Sequence, residues 1–436
     1  MNLILEPDSK MLNIFNLPAV KFDDNFIWGA ATAGHQVEGN NCHSDHYQRE
    51  VEFDYPEKSG LACNHWELYR EDVAMMKGLG LQGYRLSIEW SRIEPEEGRR
   101  DEAALARYLD LLERLKQNNI KIFVTLHHFS VPAWFDKLGG FKKRENVHYF
   151  ECHTAYLAAR IKDYVDFWMV SNEFNICGGN GPEAAELRAN ELYAHARCYH
   201  IIKLYSSAPV SSAHALRVCV PQDPFDRFDC QLAELDDWMS NEFFFHGVRT
   251  GEIVFPFRDG EDVPELKGAL DYWAINYYTR RIISARKKNI DAQPYAATHL
   301  PMIERDIYLE EFFPEGLTNG LLRLKDKPVY ITENGVCADD DRWRVLKMAL
   351  DISALADAAK RGVDVRGYLH WSLLDNYEWG SFVPRFGLVD IDFQTFERTP
   401  KPSAYFLKDI IAQGGFDREL LRKYLPELPE FKLYSK

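Results

Sequence analysis

The chain has 436 residues, 46% apolar and 14% aromatic, which is ample for a sizeable core and unlike a disordered segment. Its 67 acidic residues against 52 basic ones leave a net charge of −15. That supplies no broad positive field for phosphates and argues against a nucleic-acid or anionic-membrane partner. No apolar run is long enough to cross a bilayer, and the residues from Met1 to Asp8 lack the basic start of an export signal. Eight scattered cysteines without a CxxC pair read as reduced thiols, so the expected location is the cytoplasm.

In chain order, eight short apolar runs bounded by turn residues read as buried strands. They cover 26–32, 84–88, 120–126, 167–172, 210–216, 272–278, 329–332 and 365–372. Helical periodicity fills 66–79, where Leu68, Val73, Met76 and Leu79 share a side, and also 105–116, 150–161, 187–205 and 346–361. No low-complexity linker or composition shift marks a second domain. The alternation predicts an α/β fold, a single (β/α)8 barrel of the TIM type over 1–436 with extended loops at the C-terminal face of its strands. Residues 1–21 form an N-terminal extension and 415–436 a tail in this reading; a doubly wound sheet is the alternative.

A barrel places its chemistry where strands end, and the residues there are polar out of keeping with the runs before them. The first run leads to Gln36 and Glu38, and the second carries Arg85 inside a strand. The third closes on His127-His128, the fourth on Asn172-Glu173, the sixth on Asn276-Tyr277-Tyr278 and the seventh on Glu333-Asn334-Gly335. The eighth closes on His370-Trp371 and leads to Glu378-Trp379. Two carboxylates amid hydrogen-bonding groups and indole planes suit a sugar, whose hydroxyls need donors and acceptors and whose C–H faces stack on rings. Nothing has the spacing of a metal site: Cys42, His43 and His46 lack a second half, and no cofactor is expected.

These same residues resemble glycoside hydrolase family 1, the family of retaining β-glucosidases and β-galactosidases. The likeness runs in order from Phe26-Ile27-Trp28-Gly29-Ala30-Ala31-Thr32 through Tyr84-Arg85-Leu86-Ser87-Ile88-Glu89-Trp90, Thr125-Leu126-His127-His128-Phe129 and Asn172-Glu173. It continues through Asn276-Tyr277-Tyr278-Thr279, Tyr330-Ile331-Thr332-Glu333-Asn334-Gly335, His370-Trp371-Ser372-Leu373-Leu374-Asp375-Asn376-Tyr377-Glu378-Trp379 and Arg385-Phe386-Gly387-Leu388. The resemblance implies that Glu333 is the nucleophile and Glu173 the general acid/base. It implies that Gln36, His128, Asn172, Glu378 and Trp379 bind the non-reducing sugar over Trp371 as a stacking floor. Arg85, Asn276 and Tyr278 would hold the nucleophile, with Arg85 and Tyr278 depressing its pKa. Glu173 would start protonated, its pKa raised by burial and a second carboxylate. The expected partner is a small β-linked oligosaccharide or an aryl or alkyl glycoside.

The chain departs from the family pattern beside Glu173, where Val170 and Phe174 replace a usual Thr and Pro. Altered leaving-group handling or a shifted pH limb is the expectation there. The segments 39–45 and 287–311, including Glu310, also differ from the family, so leaving-group preference is the least transferable inference. Members acting on 6-phospho sugars carry a Ser and a Lys-x-Tyr set after strand eight; this chain has Ser381 without Lys-x-Tyr, and Glu378 would repel a phosphate. A catalytically impaired carbohydrate-binding barrel is a third reading, against which both carboxylates stand.

Overall fold

Eight parallel strands pair edge to edge into a closed barrel in a computed structural model that describes residues 17–179, 181–255, 258–286 and 312–427. The strands are β1 (Ile27–Ala31), β2 (Gly83–Ser87), β3 (Lys121–His127), β4 (Phe167–Asn172), β5 (Val210–Ala215), β6 (Trp273–Asn276), β7 (Val329–Glu333) and β8 (Val365–Trp371). Each pairs with its neighbours in sequence, and β8 closes onto β1. The single-barrel expectation holds, and the doubly wound sheet is excluded by closure.

A helix follows each strand: α1 (His65–Gly78), α2 (Glu102–Gln117), α3 (Val147–Ile161), α4 (Pro182–Tyr205), α5 (Phe243–Thr250), α6 (Pro314–Leu321), α7 (Asp341–Lys360) and α8 (Pro402–Gln413). Acidic caps start two of them. Asp101 accepts from the amides of Ala103 and Ala104, and Asp340 accepts from that of Arg342, each satisfying helix-end N–H groups that have no intrahelical partner. Val20 and Lys21 pair antiparallel with Phe416 and Gly415, tying the described start of the chain to its end. No described helix is long and apolar enough to cross a membrane.

Aromatic rings fill the N-terminal half of the barrel. Phe123 stacks on Phe167 at 4.2 Å, and Phe167 and Tyr272 meet Tyr330 at 4.9 and 5.4 Å. This plug leaves polar groups room only toward the strands' C-terminal ends. At that face, the tip of β7 presses against the tip of β8. A Cβ at Gly335 would lie 1.9 Å from the Trp371 carbonyl oxygen, so glycine is required by contact and not by backbone angle. Asn334 locks the same turn, donating to Tyr277 O at 2.7 Å and Asp351 at 2.8 Å and accepting from the Tyr368 hydroxyl at 3.0 Å. Gly335→Ala is therefore expected to lower stability by about 2 kcal/mol through forced separation of the two strand ends, read as a lower urea midpoint with an unchanged slope.

Candidate active site

Arg85 is the charge that the second strand carries into the barrel, and it is fully buried. Burying a guanidinium is tolerable only with its N–H groups satisfied. They are: Nη1 donates to Glu333 Oε1 at 2.5 Å, Nη2 to Asn172 Oδ1 at 2.5 Å, and Nε to Thr125 Oγ1 at 3.2 Å. The Tyr278 hydroxyl donates to the other oxygen of Glu333 at 2.8 Å. Glu333, last residue of β7, thus has both oxygens engaged by groups from two other segments.

Asn276 stands between Glu333 and Glu173. Its amide donates to Glu173 Oε1 at 2.8 Å and to Asn172 Oδ1 at 3.1 Å, while Thr332 Oγ1 donates to its carbonyl at 2.7 Å. It also helps to lower the pKa of Glu333, so it stands between the two carboxylates and does not serve the nucleophile position alone.

The carboxyl pair differs in one respect from the expected protonation pattern. Burial raises the Glu333 pKa; Arg85, Tyr278 and Asn276 pull against that rise without reversing it, so the expected net depression is not found. Glu173 is pushed up to about 8, first by burial and then by the charge of Glu333. Only Glu333 has a guanidinium in direct contact, so a single proton shared by the pair rests on Glu173.

The other expected residues form a second group around the same opening. Gln36 donates to Glu378 Oε2 and to Asn376 Oδ1, both at 3.0 Å, and its own Oε1 is buried without a hydrogen-bond partner among the described residues. Asn172 donates to His128 Nε2 at 3.1 Å; with Nε2 accepting, the neutral ring carries its proton on Nδ1, which is also buried and unpartnered. Burial and the nearby Arg85 hold the His128 pKa well below its ordinary value, which keeps the ring neutral. An acceptor on Gln36 and a donor on His128 together match a hydroxyl. Trp371 and Trp379 lie nearly parallel to the His128 ring, at 5.9 and 6.1 Å. All eleven expected residues therefore sit at the C-terminal face. Asn376, Thr125 and Thr332 join them unforeseen, although each lies within or beside a run already read as a strand end.

The departures beside Glu173 have a physical reading. Glu173 sits in the left-handed region, φ 48° and ψ 32°, which is strained for a side-chain-bearing residue. Its neighbours hold it there: the Glu173 amide donates to Ala213 O at 2.8 Å, and Asn175 donates to Ala215 O at 2.8 Å and Ser240 O at 2.9 Å. Phe174 is buried edge-on against Phe243 and Phe244 of α5, at 5.9 and 5.4 Å. Ring packing replaces the constraint that a proline would impose. The segment 287–311, with Glu310, lies outside the described residues.

The model of glycosyl hydrolase family 1 matches residues 19–416. The chain belongs to this family. It is an O-glycosyl hydrolase. Its relatives include a β-galactosidase of Pyrococcus woesei, 29% identical across 92% of this chain and 100% of that protein. A 6-phospho-β-galactosidase of Streptococcus equi subsp. zooepidemicus is also 29% identical, across 90% of this chain and 98% of that one. Among solved structures, a β-glycosidase from Pyrococcus horikoshii superposes with a TM-score of 0.83 at 34% identity, covering 94% of this chain and 99% of its own. A Thermotoga maritima β-glucosidase in complex with glucoimidazole gives 0.83 at 25% identity, covering 91% and 100%.

Phe174→Ala is expected to destabilise the protein by about 3 kcal/mol, the usual cost of deleting a buried ring. It should also lower kcat on a glycoside substrate by freeing Glu173, whereas a peripheral phenylalanine such as Phe225, 96% exposed, should be silent in both assays.

Proposed function

We propose that this protein is a retaining β-glycosidase that removes terminal non-reducing β-D-glycosyl units of glucose, galactose or fucose type, with residues 1–436 acting as a single catalytic domain. The observation that carries the reading is the unequal treatment of two buried carboxyl groups: Glu333 is gripped by Arg85 and Tyr278, and Glu173 is left to hold the proton.

In the first step Glu333 attacks the anomeric carbon as the bond to the leaving oxygen breaks, and Glu173 delivers its proton to that oxygen. Forming the ester removes the negative charge that had raised the Glu173 pKa, so Glu173 now ionises readily. In the second step it takes a proton from water, the water oxygen bonds to the anomeric carbon, and Glu333 leaves as carboxylate. Asn172 is positioned by Arg85 and Asn276 to donate to the 2-hydroxyl, a contact that strengthens as positive charge develops on the ring. Gln36, His128, Glu378 and Trp379 bind the remaining hydroxyls, and Trp371 underlies the ring. All eight cysteines are free thiols, which fits work in a reducing cytoplasm.

The 6-phospho reading has a relative of equal identity behind it, yet Ser381 donates to the carboxylate of Glu57 at 2.6 Å. A phosphate there would meet Glu57 as well as Glu378. Neutral glycones are therefore favoured. A panel of nitrophenyl β-glycosides including a 6-phosphate is expected to show turnover of neutral sugars, with proton NMR finding the β-anomer first. Release of the α-anomer would contradict the mechanism; activity confined to the 6-phosphate would overturn the substrate class.

The pKa directions give a second expectation. Activity requires Glu333 ionised and Glu173 protonated, so kcat/KM falls as pH drops through the Glu333 pKa and again as pH rises through about 8, where Glu173 loses its proton. In Glu333→Gln the Glu173 pKa should move down, because the charge that raised it is gone; carbon NMR titration of the labelled side chain reads the shift.

A further inference from the structure

A cavity of about 700 Å³ adjoins the catalytic cluster, and neither carboxylate lines it. Its walls come from the helix Asp45–Glu52, the segments following β3 and β4, α4, and Trp379. Four aromatic side chains line it, those of Phe129, Phe135, Phe141 and Trp379. The rim is charged: Arg49 pairs with Asp45 at 3.1 Å and Asp136 at 2.9 Å.

Glu191 of α4 lines this cavity and is only 2% exposed, yet its Oε2 has no hydrogen-bond partner among the described residues. His127 Nε2 stands 3.7 Å away, too far for a hydrogen bond, and burial keeps that ring neutral; the charge of Arg188 opposes the effect of burial on Glu191 without reversing it. Burial pushes the Glu191 carboxyl up to about 8, so it is neutral near pH 7 and able both to donate and to accept. One helical turn earlier, Leu187 lines the same cavity, so an apolar side chain would suit the site at 191 for packing alone. A buried carboxyl oxygen left without a partner is costly for folding, and one that lines a cavity is placed to meet a ligand.

The position of the cavity indicates which part of a ligand. Trp379, its shared wall, is also a glycone-binding group, and Phe129 contacts both His128 and Trp379 at 5.2 Å. Asn276 and Tyr278, which flank the two carboxylates, do not line it. Aromatic faces with a neutral hydrogen-bonding group among them suit a hydroxylated ring.

We propose that this cavity is a carbohydrate subsite for a second sugar ring carried by the glycone, with Glu191 hydrogen-bonding one of its hydroxyls. The proposal rests on the glycosidase reading above. The chemistry is unchanged: the bond from the inner sugar's anomeric carbon to the leaving oxygen breaks, Glu173 protonates that oxygen, Glu333 holds the disaccharidyl unit, and water releases it. The product is an intact disaccharide.

The test uses the full chain with nitrophenyl β-glycosides of glucose, sophorose, laminaribiose, cellobiose and gentiobiose, with early products identified by mass spectrometry. At least one disaccharide should appear whole together with nitrophenol. Glu191→Leu should lower kcat/KM on that substrate roughly tenfold, the worth of one buried hydrogen bond. Glu191→Gln, which keeps the hydrogen-bonding capacity of the neutral carboxyl, should retain activity, and neither variant should alter turnover of the monosaccharide. Stepwise trimming of every disaccharide by single glucose units, with the monosaccharide glycoside still cleaved, overturns the subsite alone. Equal loss on both substrate types in Glu191→Leu also overturns it. Absence of nitrophenol from every glycoside overturns the glycosidase reading itself.

Discussion

Everything at the mouth of the barrel depends on one buried guanidinium. Arg85 cannot reach water, so it must be surrounded by oxygen acceptors, and these are Glu333, Asn172, Thr125 and the Thr332 carbonyl. Removing one partner of such a buried pair typically costs about 3–5 kcal/mol, which makes the arrangement an all-or-none structure. β2, β3, β4 and β7 are tied together through it. The cation that stabilises this interior also determines which carboxyl ionises first, so fold and chemistry rest on the same contact.

From that asymmetry the remaining features follow. Asn276 links Asn172 to Glu173, and Asn172 links Arg85 to His128, so Glu333, Glu173 and His128 belong to one hydrogen-bonded chain. Preorganised groups of this kind lower a barrier because they need not move as charge develops. The strained backbone at Glu173 is held by Asn175 and by Phe174 against α5. Contacts with α5, which follows the neighbouring strand β5, therefore help to fix the position of Glu173.

Much of this was legible in the sequence because parallel barrel strands are buried on both faces and read as unbroken apolar runs. The run at 84–88 became Gly83–Ser87, and 329–332 became Val329–Glu333. The sixth run, 272–278, is longer than the strand Trp273–Asn276, because Tyr277 and Tyr278 have strand propensity but serve the loop. α5, α6 and α8 lie outside the periodic runs; α5 follows Arg227–Asp237 through a π-helical turn at Trp238–Glu242, which breaks the periodicity. Side-chain partners were harder still. Motif order placed Asn276 at the site, but only three-dimensional packing could show that its amide faces Glu173. Glu191 gave no signal at all, since one acidic residue in a helix looks like a solvated face until its burial is known.

In the proposed mechanism Arg85 and Tyr278 make Glu333, and not Glu173, the group that attacks the sugar. A slow fluorosugar inactivator, which forms the glycosyl ester but hydrolyses poorly, tests this directly by peptide mapping of the labelled protein. The predicted result is one sugar per chain, attached to Glu333, with activity lost in proportion. A sugar attached to Glu173, or full inactivation with Glu333 unmodified, would contradict it.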